Sequence, residues 1–559
     1  MAGAERFPDD EWRLDEEPIE RVEPEPPSEA PTAKLTYNLS QQRMMRAVYV
    51  VTAEHLGWYV VVAYALITRT MALGARPLDA AQGTDAITSF LIAQHGRLAF
   101  ALSDASWVTI LQGAIFAAIG ATDATSRIVV TLCGLLLIAI AFALRPALGR
   151  AGALGFALMV AISPSMAYFS LGGSTAIASI AFMMVAIAIA ESMRRQPTVI
   201  RAVGLGVAIA LWLTADAIGY VTASAMIVSL IFVGVVGVVR IDHRRLRLRV
   251  WWDRRRMLVV VCAIVAIGLW LVLTTAFFHR PLVASVEYCV HAAFAPPLIA
   301  SRHALHRIVP ILAFYDFIVV ALAIVGAFAI VSRRIGDRFA AWAVVWAIVS
   351  AAMIATVGAN QPDAVVAIVL PLALVGAYAV DWMHRSERWN SIRYAIAVAV
   401  ALTVYVQIAT NFVFSVPDAS EAAWRRHALL FWSVPATTIR TVKECERARN
   451  AVSSVGARAL IPDDAPQVQW YLRDFMQTDS PADANIVVTI GKTQSGAVAG
   501  NPDAPEFGFE EWWNPDFRAM TPAGAIKYFF TQRAWSDVEI RDLAIGVSKP
   551  GGAGKEPNP

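Results

Sequence analysis

Apolar residues run along this chain in long unbroken stretches, not in the short alternations that mark half-buried helices and strands. Eleven stretches approach or reach the about 20 residues a helix needs to cross a hydrocarbon core. They are 47–68, 126–145, 151–169, 174–193, 202–217, 219–239, 257–278, 308–331, 339–358, 363–381 and 394–415. A twelfth run, Trp107–Ala121, is shorter. Basic residues decide its role, because cytoplasmic loops carry an excess of Lys and Arg. With this run left out, the loops Arg145–Arg150, 194–201, 240–256, 332–338 and 384–393 fall on one side, together with Arg43 and Arg46. Residues 107–121 are therefore expected to lie flat on the outer leaflet as an interfacial helix. The N-terminus is expected in the cytosol and the C-terminus outside.

Composition supports the membrane reading. Of the 559 residues 57% are hydrophobic and 16% charged, whereas soluble domains carry roughly a quarter charged residues. No globular core absorbs that much apolar surface, so the bilayer must be the solvent. The first apolar run is too long for a signal-peptide core and reads as a true span. The basic stretch 240–256 interleaves arginine with Trp251 and Trp252, which suits anionic lipid headgroups and not nucleic acid.

The expected architecture is mainly α. A disordered, acidic and Pro-rich cytosolic tail (1–46) precedes a transmembrane bundle (47–415) with outer loops 71–106 and 279–307. A small extracytoplasmic α/β domain (416–559) ends the chain, with a strand at 485–491 and helices at Glu421–Phe431 and Thr437–Val452. Pro164 and Pro371 interrupt spans, but no internal repeat supports a transporter. Four cysteines are too few for a disulfide framework. Cys133 and Cys262 read as packing residues; Cys289 and Cys445 both fall on the outer side, where a bridge between them stays open.

Ionisable residues inside spans are functional candidates. Glu54 and His55 lie in the first span. Asp216 and Asp316 lie near outer ends, either lining an outward cavity or reaching interfacial water. The first outer loop is richer, with Asp79, Asp85, His95 and Asp104 beside Arg76 and Arg97. A carboxylate there acts as general base on an acceptor hydroxyl, or holds a divalent cation (magnesium or manganese) beside a phosphate, which arginine grips. A solvated polar loop is the plain alternative. Phosphate-binding Gly loops, metalloprotease His pairs and nucleophile elbows are absent from the sequence.

Several stretches, in order, resemble the GT-C superfamily of membrane glycosyltransferases, and within it a prokaryotic family associated with flippase activity and related to protein mannosyltransferases. These are "ALITRTMALGARPLD" (65–79), "ILQGAIFAAIGATDATSRIVVTLCGLLL" (110–137), "ALMVAISPSMAYFS" (157–170), "LTTAFFHRP" (273–281), "ILAFYDFIVVALAIVG" (311–326), "VGANQPDAVVAIVLPLALVGAYAV" (357–380), "PQVQWYLRDF" (466–475) and "EEWWNPDF" (510–517). The resemblance covers roughly 47–550. It implies transfer of a sugar from a polyprenyl-phosphate donor to an acceptor on the outer face of a bacterial inner membrane, within cell-envelope assembly. Asp79 and Asp85 would be the base or metal ligand. Arg76 and Arg307 would bind phosphate, and Gln82, His95, Asp104 and Asp316 would line the substrate site.

The sequence also departs from the family pattern. Gln82 stands at an acidic position, Leu171 and Ala176 replace an arginine and an acid, Asp216 replaces a lysine, and Ala359 and Asn360 replace a Glu-Lys pair. Glutamine does not accept a proton as a base at neutral pH. The substitutions leave a second expectation beside the enzyme: a non-catalytic relative that binds lipid-linked glycan or scaffolds a flippase or glycan-assembly partner.

Overall fold

The computed structural model describes residues 53–71, 73–74, 77–96, 106–239, 244–275, 277, 281, 283, 286–287, 301–332, 338–357, 362–385, 390–415, 435–452, 456–480, 483–490, 506–513, 515–537 and 539–547. The acidic tail, the helix expected at 421–431, and Cys289 lie outside them.

A helix falls on every predicted run. In chain order the first elements are α1 (Ala53–Thr70), α2 (Ala80–His95), α3 (Trp107–Ile119), α4 (Ile128–Ala143), the single turn α5 (Arg145–Leu148), α6 (Arg150–Ile162) and α7 (Pro164–Leu171). They continue as α8 (Thr175–Arg195), α9 (Val199–Ala215), α10 (Ile218–Val239), α11 (Arg244–Thr274), α12 (Ser301–Phe314), α13 (Phe317–Val331), α14 (Arg338–Val357), α15 (Val366–Arg385) and α16 (Asn390–Ser415). Among the described residues, five helices are long and apolar enough to cross a membrane, or seven if two bent pairs each count as one span. Four shorter apolar helices include Trp107–Ile119, which at 13 residues reaches about 20 Å, well short of a hydrocarbon core of about 30 Å. By these helices the chain is an integral membrane protein.

The first of the two bent pairs has a local cause. Between α6 and α7 the chain turns by 59°. Pro164 at the first helical position lacks the N–H that would continue α6, and Ser163 caps the new helix by accepting from the Met166 N–H at 3.1 Å. Between α12 and α13 the turn is 90°, so the 308–331 run is not one straight span. Its break falls at Tyr315–Asp316, in an apolar stretch with no proline at the bend. Pro371, expected to interrupt a span, instead lies within the unbroken helix α15. Membrane helices tolerate proline where neighbouring groups satisfy the freed carbonyl. The bundle centre is close-packed: a Cβ on Gly326 of α13 would lie 2.3 Å from the Val375 carbonyl oxygen of α15, the small-residue approach typical of membrane helices.

The C-terminal segment forms α17 (Pro435–Ala451), β1 (Arg458–Leu460), α18 (Pro466–Tyr471), β2 (Met476–Gln477), β3 (Ile486–Ile490), β4 (Glu506–Trp512), α19 (Pro522–Thr531) and β5 (Glu539–Val547). The five strands make one sheet in the order β2-β1-β3-β5-β4. β1 pairs parallel with β2 and β3, and β5 pairs antiparallel with β3 and β4. Cys445 and Ala448 of α17, Val468 and Leu472 near α18, and Ile486, Val488, Leu543 and Ile545 of the sheet share one core.

This segment is locked onto α2. Gly83 of α2 leaves room for α18: a Cβ there would stand 2.7 Å from the Gln467 backbone nitrogen. The Asp123 carboxylate, in the turn before α4, accepts from Trp470 Nε1 at 2.8 Å and the Tyr471 hydroxyl at 2.9 Å. That hydroxyl in turn accepts from the Leu78 N–H at 2.9 Å. Burial and the Asp123 charge push the Tyr471 phenol well above its usual range, so it stays a donor. Arg473 stacks over Trp470 with its guanidinium carbon 4.1 Å from the ring centroid and donates to the Ala121 carbonyl.

Candidate active site

Helix α2 begins on Asp79. Its carboxylate caps α2, accepting from the Gln82 N–H at 3.0 Å and from Gln82 Nε2 at 2.7 Å. The Gln82 oxygen accepts from Arg127 Nη2 at 2.9 Å. Arg127 is fully buried and also donates to the Leu73 and Pro77 carbonyls. Gln82 therefore bridges a buried cation and the cap of α2, which fixes where the helix starts.

Asp85 lies further along α2 and is half-buried. Burial raises its pKa first, and the negative charges of Asp216, Asp363 and Asp79 raise it further, to about 7. These neighbours come from distant parts of the chain. Asp216 sits in extended backbone between α9 and α10, its carboxylate accepting from the Ile218 N–H at 2.8 Å and from the Thr175 hydroxyl. Asp363 lies in a 3-10 turn, Pro362–Val365, ahead of α15 and accepts from the Ser174 hydroxyl at 2.7 Å. Ser174 and Thr175 are consecutive residues at the start of α8. One short turn thus holds two carboxylates whose charges act on a third.

A carboxyl group with a pKa near 7 is matched to proton transfer at neutral pH, and perturbed groups of this kind concentrate at functional sites. Among the described residues no three His, Cys, Asp or Glu side chains are grouped as metal ligands.

The other sequence candidates are dispersed. His95 is exposed at the far end of α2. Asp316 is fully buried at the α12–α13 break, accepting from the Ser163 and Ser165 hydroxyls. Glu54 pairs with Arg145, and His55 is exposed. Arg76, Arg97, Asp104, Ala359 and Asn360 lie outside the described residues, as does the side chain of Arg307 in α12. Asp363, Ser174, Thr175 and Arg127 were not singled out from sequence. The available signal was weak: two acids, Asp216 and Asp363, each at the outer end of a predicted apolar run.

This order of helices, α2 and C-terminal sheet is a fold shared with solved structures. The chain is similar to ArnT from Cupriavidus metallidurans bound to undecaprenyl phosphate, with 15% identity and a TM-score of 0.55 over 89% of this chain and 99% of that one. It is similar to the apo state of the same protein at 16% identity and a TM-score of 0.52. The oligosaccharyltransferase AglB from Archaeoglobus fulgidus, in complex with an inhibitory peptide and a dolichol-phosphate, aligns at 13% identity and a TM-score of 0.45, over 77% of this chain and 65% of that one. No family model matches the chain, and no curated protein does.

Proposed function

We propose that the protein transfers a glycosyl group from a polyprenyl-phosphate donor to a hydroxyl acceptor on the extracytoplasmic face. The observation that carries this reading is Asp85, a carboxyl group poised near neutrality on the first outer helix of a GT-C fold. In the reaction the acceptor O–H proton passes to the Asp85 carboxylate. The acceptor oxygen bonds to the sugar C1 as the bond from C1 to the phosphate oxygen breaks, and polyprenyl phosphate leaves with that electron pair. Asp79 sets the start of α2, and Asp216 and Asp363 keep Asp85 basic enough to take the proton. Arg76 and Arg307 are the proposed phosphate partners. The fold likeness to a protein bound to undecaprenyl phosphate supports the donor class.

Changing Asp79 and Asp85 together to Asn is expected to abolish outer-surface glycan assembly in cells carrying that allele alone. Normal glycan there sinks the transferase assignment.

A second reading has one observation in its favour. Gln82, at the family's acidic position, is engaged with Arg127 and Asp79 and cannot act as a base. A scaffold that binds lipid-linked glycan without turnover would use the C-terminal segment as its docking surface. It predicts that the Asp79/Asp85 variant complements a deletion and that removal of 416–559 does not.

A further inference from the structure

Two broken helices meet at Asp316. On one side its carboxylate accepts from the Ser163 and Ser165 hydroxyls and from the Ser165 backbone N–H. These donors belong to the first turn of α7, whose N–H groups have no intrahelical partners. On the other side of the same break, α6 ends in equally unpartnered carbonyls. Arg69, fully buried, donates there to the Val160 oxygen at 2.9 Å and the Ala161 oxygen at 3.4 Å. Gln407 Nε2 also donates to the Ala161 oxygen, at 3.3 Å. Each end of the break therefore faces the charge its helix dipole favours: an anion at the N-terminus of α7 and a cation at the C-terminus of α6.

The consequence lies one short helix away. α7 is eight residues long, about 12 Å, and runs through Gly172 and Gly173 into Ser174 and Thr175. Those two hydroxyls hold Asp363 and Asp216. Two further contacts fix α7 sideways: Thr131 Oγ1 donates to the Ser170 carbonyl at 3.2 Å, and a Cβ on Gly134 would stand 2.4 Å from Ser170 Oγ. The α12–α13 break is held from outside as well. The Tyr315 hydroxyl lies 2.7 Å from the Tyr528 hydroxyl and 3.1 Å from Gln532 Oε1.

We infer that Asp316 is a positioning residue: by pinning the N-terminus of α7 it sets the Ser174–Thr175 turn, and through that turn the placement of Asp363 and Asp216 around Asp85. Asp316 touches no substrate in this account. Sequence alone offered it either as lining an outward cavity or as reaching interfacial water; its burial between the Ser163 and Ser165 hydroxyls assigns it to the frame instead. The inference rests on the reading of the acidic group as the reacting centre, but its test involves no sugar.

The test uses the full-length protein in lipid nanodiscs. Carbodiimide and an amine label protonated carboxyl groups, and the extent of labelling at Asp85 is read by mass spectrometry across pH. The groups acting on Asp85 are Asp79 on its own helix, Asp216 between α9 and α10, and Asp363 before α15. In the wild type the midpoint is expected near 7. In Asp316→Ala it is expected to fall by about one pH unit or more, because Asp216 and Asp363 relax away from Asp85. Asp316→Asn, which keeps an acceptor for one serine, is expected to fall between the two. The Ser163→Ala/Ser165→Ala double variant keeps the carboxylate, removes its cage, and is expected to lower the midpoint as Asp316→Ala does. It also decides the matter if Asp316→Ala does not fold. An unchanged Asp85 midpoint in the folded variants overturns the pin. A wild-type midpoint near 4 overturns the Asp85 base beneath it, which is a separate failure.

Discussion

Asp85 derives its chemistry from its surroundings. On a solvated loop it would be an ordinary carboxylate; burial first, and then the charges of Asp216, Asp363 and Asp79, push its pKa up to about 7. Asp85→Asn is expected to slow glycosyl transfer by about 10²–10⁴-fold, the usual contribution of a general base, with lipid-donor binding retained. The same shift has a stability consequence. The folded state binds the Asp85 proton more tightly than the unfolded state does, so this contribution is fully present below the unfolded value near 4 and is lost as pH rises through about 7. Thermal unfolding in detergent is expected to show stability falling between about pH 4 and 7, and Asp85→Asn is expected to flatten that slope. An identical slope in the variant contradicts the shift. Composition showed a loop crowded with acids, and the family resemblance drew Asp79 and Asp85 out of it as candidates. It could not separate their roles: the cap made by Asp79 and the charge group around Asp85 depend on residues up to 278 positions away. Asp363 reads in sequence as one more loop acid after Asn360, Gln361 and Pro362.

The helices show the same division between legible and hidden features. Every apolar run became a helix because runs of that length have no other way to satisfy their backbone in lipid. The break at Ser163–Pro164 was visible as a cap followed by proline. The break at Tyr315–Asp316 was not; the serines that hold Asp316 there belong to another helix, up to 153 residues away. The clamp between α2 and α18 was also hidden: Gly83 reads as a helix-weakening residue until Gln467 is placed against it. Asp123→Ala removes the acceptor of both Trp470 and Tyr471. Each donor left buried costs about 1–3 kcal/mol, so a lowered thermal midpoint is expected, together with faster proteolysis of the C-terminal segment. Unchanged proteolysis argues against the clamp. Gly83→Leu, which forces α2 off α18, is expected to reproduce both effects.

At the scale of the whole molecule, the parts divide the work between lipid and water. Helices such as 256–274 of α11 present their apolar faces outward, while the C-terminal segment is fastened through α18 to Asp123 and to Leu78 just ahead of α2. The proposed reacting group lies where these parts meet, built from α2, the α9–α10 turn, the start of α8 and the turn before α15. The most direct test is transfer by the purified full-length protein in nanodiscs, supplied with radiolabelled sugar on polyprenyl phosphate and an outer-face acceptor extract. The account predicts label moving from lipid to acceptor, a rate rising with pH through a midpoint near 7, and loss of transfer in Asp85→Asn. Label remaining on the lipid, or transfer at equal rate in Asp85→Asn, would contradict it.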